Sequence, residues 1–310
     1  MENRPESIAG VADVDCTGTR ALVTGSTSGI GRSTALALGR LGAEVFVHGR
    51  DAAAGEAVVD DLAEIGAEAT FVEADFADVG AVRDLAGAVR EATDELDLLV
   101  NNAGGLFREG RLTGLGVEYT FHVNHLSPYL LTTELLDHLA ADARVVTTAS
   151  SAHKGAALDL DRVESVESYS GGWAYSHSKL ANVLFASELG RRLDAADRAV
   201  TSNSIHPGAI PGSGFTRFLP GPLPRLAKKL EALPGVTSVA DGAAEVLVPA
   251  LSPRAADVSG RYFAGQQPTT PADDARDDEA ARRLWSYSAD VLDVDEPLAA
   301  AVGEPAPADD

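Results

Sequence analysis

Cysteine is almost missing from this chain: Cys16 stands alone among 310 residues. No disulfide can form within it, and no zinc site built on thiolates is expected; no metal of any kind is expected. Lysine is nearly as scarce. Of 25 basic residues only Lys154, Lys179, Lys228 and Lys229 are lysines, and 47 acidic residues bring the formal charge to −22. Such a surface repels nucleic acid and anionic membrane as a whole, so neither is expected as a partner and any phosphate contact must be local. Long apolar runs are missing too: none reaches the roughly 18 residues that span a bilayer. The opening "MENRPESIAGVADVDCTGTR" is polar, without a signal-peptide core, so the expected place is the cytoplasm. Aromatics make up 5%. An acidic surface poor in lysine and aromatics fits a halophilic host, where dense salt screens self-repulsion; GC-rich codon usage is the alternative source of the same composition.

What is present is an alternation of short apolar runs and helical patterns. "ALVTG", "EVFVHG" and "EATFVEAD" read as strands separated by two amphipathic helices, a β-α-β-α-β unit within Arg20 to Asp75. Further strands follow at "LDLLV", "ARVVTTAS" and "AVTSNSIHP", with long helices between them. The pattern predicts an α/β fold: a single-domain, doubly wound (Rossmann-type) parallel sheet of six or seven strands with helices on both faces. The domain is expected over 18–290, after a polar N-terminal tail at 1–17 and before an acidic Ala/Pro-rich tail at 291–310. The Gly-, Pro- and Leu-rich stretch at about 207–236 reads as a substrate loop within it.

The first strand runs into "TGSTSGIG", Thr24 to Gly31, which opens a helix. Gly25 suits the tight turn, Gly29 lets backbone approach a pyrophosphate and Gly31 lets helix and strand pack closely. With Thr27, Ser28 and Ile30 they form the expected phosphate cradle at a helix start, where the dipole favours anions. The spacing G-x-x-x-G-x-G differs from the usual dinucleotide fingerprint. The second strand ends in Gly49-Arg50, where an NAD site carries an acid for the ribose 2′-hydroxyl. A guanidinium there suits a 2′-phosphate, so NADP(H) is the expected cofactor. Alternatively Arg50 pairs with Asp51 or Glu56, and Arg32 shares or replaces its role. Asp75, with Phe76 beside it, is expected at the adenine. Asn102, Ala103 and Gly104 of "NNAGG" are expected along the adenine-side ribose.

"YSHSK" sets Tyr175 and Lys179 four apart on one helix face. The ammonium is expected to lower the phenol from its ordinary value near 10, so that Tyr175 donates a proton to a carbonyl oxygen or removes one from an alcohol. Ser151 is expected to give the same oxygen a second hydrogen bond, and Asn124 to hold a water that links Lys179 to solvent. Alone, Y-x-x-x-K is also an ordinary exposed helix pair.

Taken together, these motifs resemble the short-chain dehydrogenase/reductases. The resemblance runs from about Arg20 to Tyr287 and covers Thr24–Gly31, Asp75, "NNAG", Asn124, Ser151, "YSHSK" and the "HPG" at 206–208. It implies a Rossmann-type domain with Asn-Ser-Tyr-Lys catalysis, and a lysine that also binds the nicotinamide ribose. "YSHSKLAN", "SSAHKG", "HPG" and "RRLWSYS" are similar to the retinol dehydrogenase and WW-domain oxidoreductase branch, which also holds light-dependent protochlorophyllide reductase and mostly uses NADP(H). By the same resemblance Pro207, Gly208 and the Ile210 backbone lie at the nicotinamide. The family's usual threonine is displaced, with Pro211 near its place and Thr216 further on, and no apolar N-terminal anchor precedes the domain as in animal relatives. A small carbonyl or alcohol of hydrophobic character is the expected substrate, and a homodimer or homotetramer through the helices around Asn124 and Tyr175 the expected assembly. A sugar-nucleotide-modifying relative and an NADP-binding regulator without turnover are the alternatives.

Some residues carry two readings. His153 and His177 either contact substrate or are plain polar lining, while His48 packs at a strand end. Phe215, Phe218, Leu219 and Leu223 form an apolar lid or simply pack the loop. Trp173 is pocket wall or interface.

Overall fold

The computed structural model describes residues 4–208 and 237–302. Seven strands form one sheet: β1 (Arg20–Val23), β2 (Glu44–Gly49), β3 (Ala69–Glu73), β4 (Leu96–Asn101), β5 (Leu139–Thr148), β6 (Thr201–Ile205) and β7 (Tyr262–Phe263). Their order is β3-β2-β1-β4-β5-β6-β7 and every pairing is parallel. The chain leaves β1 towards β2 on one side and returns to β4 on the other. A crevice therefore opens beyond the C-terminal ends of β1 and β4, the usual ligand position in a doubly wound sheet.

Helices cover both faces, and most begin at a side chain that satisfies free N–H groups. Asp51 caps α3 (Ala52–Glu64), Asp78 caps α4 (Val79–Ala92), Asp159 caps the short α7 (Leu160–Val163) and Ser170 caps α8 (Gly171–Ala195). Ser238 and Asp241 form a reciprocal capping box on α9 (Val239–Leu251), and Asp277 caps α10 (Asp278–Leu292). The helix α2 (Gly29–Arg40) differs, since Ser28 makes no capping bond. Between α5 (Tyr119–Phe121) and α6 (Ser127–Leu135) the helix widens into a π turn, His122–Leu126. Leu22, Leu99 and Val145 face one buried cluster with α4, α6, α8 and α10; Val23, Val100 and Val146 face the other with α2, α3 and α9. Strand β6 reads Thr-Ser-Asn-Ser yet is fully buried. Asn203 is satisfied, giving its amide to Val258 O at 2.6 Å and accepting from Arg261 N at 3.0 Å, whereas the hydroxyls of Thr201, Ser202 and Ser204 have no hydrogen-bond partner among the described residues.

The N-terminal segment is not the tail expected at 1–17. The short helix α1 (Pro5–Ile8) carries Glu6, which is buried and receives both Nε and Nη2 of Arg40 at 2.7 and 2.8 Å. Val11 and Cys16 join the core behind it. At the other end α10 runs past the expected boundary at 290, Leu298 packs on the core, and fully buried Arg192 reaches Glu296 and the Pro297 carbonyl at 3.3 and 3.4 Å. Two arginines thus hold the first and the last described segments on the domain. Trp285 of α10 stacks on Phe185 of α8 and meets Tyr129 of α6 edge-on. It thereby covers apolar surface on the helices at which self-association was expected.

Candidate active site

The loop after β1 is held by the loop after β4. Thr24 Oγ1 donates to Val100 O at 3.2 Å and accepts from Asn102 N and Ala103 N at 2.9 and 3.0 Å. The Asn102 amide returns a bond to Thr24 O at 2.8 Å. Gly25 has φ +65°, and a Cβ there would stand 2.9 Å from Ala103 Cα, so turn geometry and close approach both require glycine. His48 fastens the loop from the other side: Gly25 N donates to its Nδ1 at 3.1 Å, and its Nε2–H points to Ala74 O at 3.1 Å. Burial lowers this imidazole to about 4, and it stacks on Phe76. The strand-end reading of His48 holds, with the addition that it shapes the glycine turn.

Beyond the loop lies a cleft of about 1010 Å³. Gly25, Thr27, Ser28, Gly29, Ile30, Gly31, Arg50, Asp75 and Phe76 line one end, with Asn102, Ala103 and Gly104 in the middle. Ser150, Ser151, Tyr175, Lys179, Pro207 and Gly208 line the other. Ile210, Pro211, Phe215, Thr216, Phe218, Leu219 and Leu223 lie outside the described residues. Arg50 is paired with neither Asp51 nor Glu56. Its Nη1 stands 3.6 Å from Asp75 Oδ1, on two largely exposed side chains, a contact of little worth in water. Asp51 caps α3 instead, and Arg32 is engaged with Asp61.

At the reactive end Lys179 is buried and donates from Nζ to Thr148 O at 2.8 Å, beside the Asn182 amide on the same carbonyl at 3.1 Å. Burial lowers its ammonium to about 8. Desolvation raises the Tyr175 phenol, and the nearby Ser150 hydroxyl only partly opposes this. The sequence-based expectation of a lowered phenol is thus reversed, because α8 buries the side chain further than a helix-surface argument can anticipate.

The serine assignment is also corrected. Ser150, not Ser151, meets the phenol. Side chains alternate along an extended strand end, so neighbouring serines point apart. Ser150 is extended at φ −164°, ψ 156°, while Ser151 is exposed and opens the 3₁₀ turn Ser151–Gly155.

Asn124 sits in the π turn. Its Oδ1 accepts from Gly105 N, and its Nδ2 donates to Gly105 O and Ser178 Oγ, each at 2.9 Å. Both amide hydrogens are thereby used, so the side chain fixes the "NNAGG" loop against α8 and has no donor left for the water expected there. Neither His153 nor His177 lines the cleft. His177 is buried, stacks on Trp173 and accepts from Asp159 N at 3.0 Å. Trp173 also carries Arg162 over its ring, away from the cleft lining. Sequence reasoning missed Ser150 and the Thr148 carbonyl, and it named Thr24 and His206 only as members of their motifs, without a role; His206 also lines the cleft. The serine doublet held a usable signal for Ser150. Among the described residues no group of three or more His, Cys, Asp or Glu side chains is placed to hold a metal ion.

The family model for short chain dehydrogenases matches residues 19–218. The chain belongs to the short-chain dehydrogenase/reductases. Human retinol dehydrogenase 13 is 36% identical over 295 residues, 90% of this chain and 86% of that protein. Mouse polyprenol dehydrogenase is 38% identical, covering 86% of this chain and 81% of its own. Among solved structures, an uncharacterised protein from Mycobacterium Paratuberculosis superposes with a TM-score of 0.74 at 31% identity, over 92% of this chain and 97% of the other. A short chain dehydrogenase from Burkholderia cenocepacia J2315 in complex with NADP superposes at 0.64 and 28% identity, over 84% and 98%. This short-chain dehydrogenase/reductase is therefore an oxidoreductase acting between CH–OH and C=O groups with a nicotinamide cofactor, in the retinol dehydrogenase-like branch.

The same relatives correct the expected cytoplasmic location. They are named for retinol and polyprenol, alcohols that reside in membranes, so a polar N-terminal sequence does not fix where this chain works. Among the described residues no helix is long and apolar enough to cross a membrane.

The residues present fit a nicotinamide dinucleotide. The N-terminus of α2 is left without a side-chain cap and lines the cleft, as a pyrophosphate requires. A Cβ at Gly31 would collide with Gly25 O and the Asn102 amide, and one at Gly49 with Thr27, so glycine keeps the cradle in shape.

Proposed function

We propose that this enzyme uses NADP(H) to interconvert hydrophobic carbonyls and alcohols, with Tyr175 as the general acid and base. The observation that carries the reading is that Ser150, Tyr175 and Lys179 line one cleft with the uncapped start of α2. A bound nicotinamide supplies or accepts the hydride. Tyr175, raised by burial, holds its proton at neutral pH and gives it to the carbonyl oxygen in reduction. Ser150 donates to the same oxygen as charge grows there. Lys179, fixed on Thr148 O, keeps a positive charge near the phenol and would hold ribose hydroxyls. Asn124 secures the Gly104–Gly105 backbone, which would hold the cofactor beside it.

Preference for the 2′-phosphate rests on Gly49-Arg50 at the end of β2, where Arg50 has, among the described residues, only the exposed Asp75 to leave. Preference for apolar substrates rests on Leu106, Phe107, Tyr119 and Val123 in the cleft wall. The names of the relatives, for retinol and polyprenol, point to isoprenoid alcohols and aldehydes as the first compounds to try.

The test is label transfer. The protein is given NADPH deuterated on either face of C4 with isoprenoid, aliphatic and aromatic aldehydes, and the product alcohol is weighed by mass spectrometry. One deuterium on the carbinol carbon from one face only is expected. Product without label, or no product with any aldehyde, contradicts the reading.

A further inference from the structure

The Ser150–Ser151 peptide group is gripped from both sides by imidazoles. On one side the Ser150 carbonyl meets His153 Nδ1 at 2.6 Å. On the other the Ser151 N–H donates to His206 Nδ1 at 3.3 Å. The chemistry of the partners fixes both tautomers. A carbonyl only accepts, so His153 carries its proton on Nδ1. Its Nε2 then accepts from Ala272 N, and that contact is present at 3.1 Å. A backbone N–H only donates, so His206 has a bare Nδ1 and carries its proton on Nε2.

His153 is fully buried, lies against the Tyr262 ring and does not line the cleft. Burial holds it below the ordinary histidine value, which keeps the single neutral form that these bonds need. His206 is tied to the sheet by its own N–H, which donates to Phe263 O at 2.9 Å. Both anchors therefore rest on rigid elements, the β6–β7 edge and the segment leading into α10.

We propose that His153 and His206 are positioning residues that clamp the Ser150–Ser151 peptide plane and so aim the Ser150 hydroxyl at Tyr175. The reasoning is geometric. A peptide plane held at both its C=O and its N–H cannot rotate, which fixes ψ of Ser150 and φ of Ser151 together. With ψ fixed, the extended Ser150 lines the cleft beside Tyr175, and the exposed Ser151 opens the 3₁₀ turn. The backbone N–H groups of His153 and Ala152, which donate to Ser150 O and Ser150 Oγ at 3.2 Å each, hold the same turn, and the imidazoles add the fixed plane. The inference rests on the reading of Tyr175 as acid and base, but it concerns the conformation of this chain and has a readout of its own.

The experiment combines turnover with titration of Tyr175. His153→Phe, His153→Asn, His153→Gln and His206→Ala are made in the wild-type chain and in Ser150→Ala. kcat and KM are measured with NADPH and a reducible aldehyde, and NADPH binding by fluorescence. Tyr175 ionisation is followed by phenolate absorbance, as the difference between each protein and its Tyr175→Phe counterpart. His153→Phe is expected to lower kcat about a hundredfold, the scale of a misplaced reacting group, with KM and NADPH affinity nearly unchanged. In Ser150→Ala the same substitution is expected to add almost nothing, since the group it aims is gone. His153→Asn, whose amide N–H replaces the Nδ1 donor, is expected to recover most of the rate; His153→Gln is not.

His153→Phe and Ser150→Ala should both shift the Tyr175 titration upward, by loss of the same bond. Equal losses of kcat with and without Ser150, or a Tyr175 titration that ignores His153, overturn the clamp. If His153→Phe does not fold, the Asn and Gln pair decides: equal rates at equal Tm overturn it. If the wild type turns over no aldehyde, the functional reading fails first, and the titration still decides the clamp.

Discussion

Lys179 Nζ stands 2.8 Å from the Thr148 carbonyl and 5.7 Å from the centre of the Tyr175 ring. The ammonium is therefore anchored on the sheet and reaches the phenol through space. Burial lowers the lysine to about 8 and raises the tyrosine, so the two titrations move apart. Near neutral pH the phenol holds its proton and the lysine its charge, the state required for reduction.

From this follows a pH dependence. Carbonyl reduction should be level through the neutral range and fall as pH rises past about 8, where the Lys179 ammonium is lost. Alcohol oxidation needs the ionised phenol, which burial raises above its ordinary value near 10, so it should increase only at still higher pH. A reduction rate that stays flat through pH 9 would show that Lys179 has another role.

The two adjacent serines should separate sharply. Ser150→Ala removes a donor to the developing oxyanion and should cost kcat roughly 10²- to 10³-fold. Ser151→Ala removes only an exposed hydroxyl and leaves the N–H that His206 accepts, so its rate should stay within about threefold of wild type. The reverse ranking in steady-state kinetics would restore the assignment to Ser151.

For the cofactor, Arg50→Ala should weaken NADPH binding by roughly 10- to 100-fold, the value of a charge-assisted hydrogen bond, and leave NADH binding nearly unchanged. Equal loss for both, read by fluorescence titration, would show that Arg50 does not read the 2′-phosphate.

Acid should destabilise the fold before it titrates most carboxylates. Burial lowers His48, His122 and His177 to about 4 and His125 to about 3. The unfolded chain takes up these protons near 6.5, whereas the folded chain refuses them until lower pH. Between those values the unfolded state binds more protons, so stability is full above 6.5 and declines as pH drops towards 4. Urea midpoints measured at pH 7.5 and at pH 5 in molar KCl should show a clear drop with an unchanged slope. Equal midpoints would mean that these imidazoles are solvated.

Much of this was legible in the sequence because fully buried parallel strands read as apolar runs. "ALVTG", "EVFVHG" and "LDLLV" became β1, β2 and β4 with little shift. The glycine turn and Y-x-x-x-K carry fixed spacings, and both line one cleft. Two-residue β7 has too little pattern to be seen, and the π turn around Asn124 leaves no mark in composition. The packed N-terminal segment was hidden by its polarity, since a bidentate Glu6–Arg40 pair between distant residues has no local signature. The direction of the Tyr175 shift was misread for a related reason: spacing reveals a neighbour on the helix, but burial depends on what the rest of the chain places over it. The serine doublet offered two candidates, and only the extended backbone at Ser150 separates them.

The most direct test of the account is NADPH consumption by the wild type and by Tyr175→Phe, with isoprenoid and aromatic aldehydes in molar KCl and NADPH binding measured on the same samples. The account predicts that both proteins bind NADPH alike, that the wild type consumes it with at least one aldehyde, and that the phenylalanine variant does not. Turnover that survives in Tyr175→Phe, or tight binding with no turnover by the wild type on any aldehyde, would contradict it.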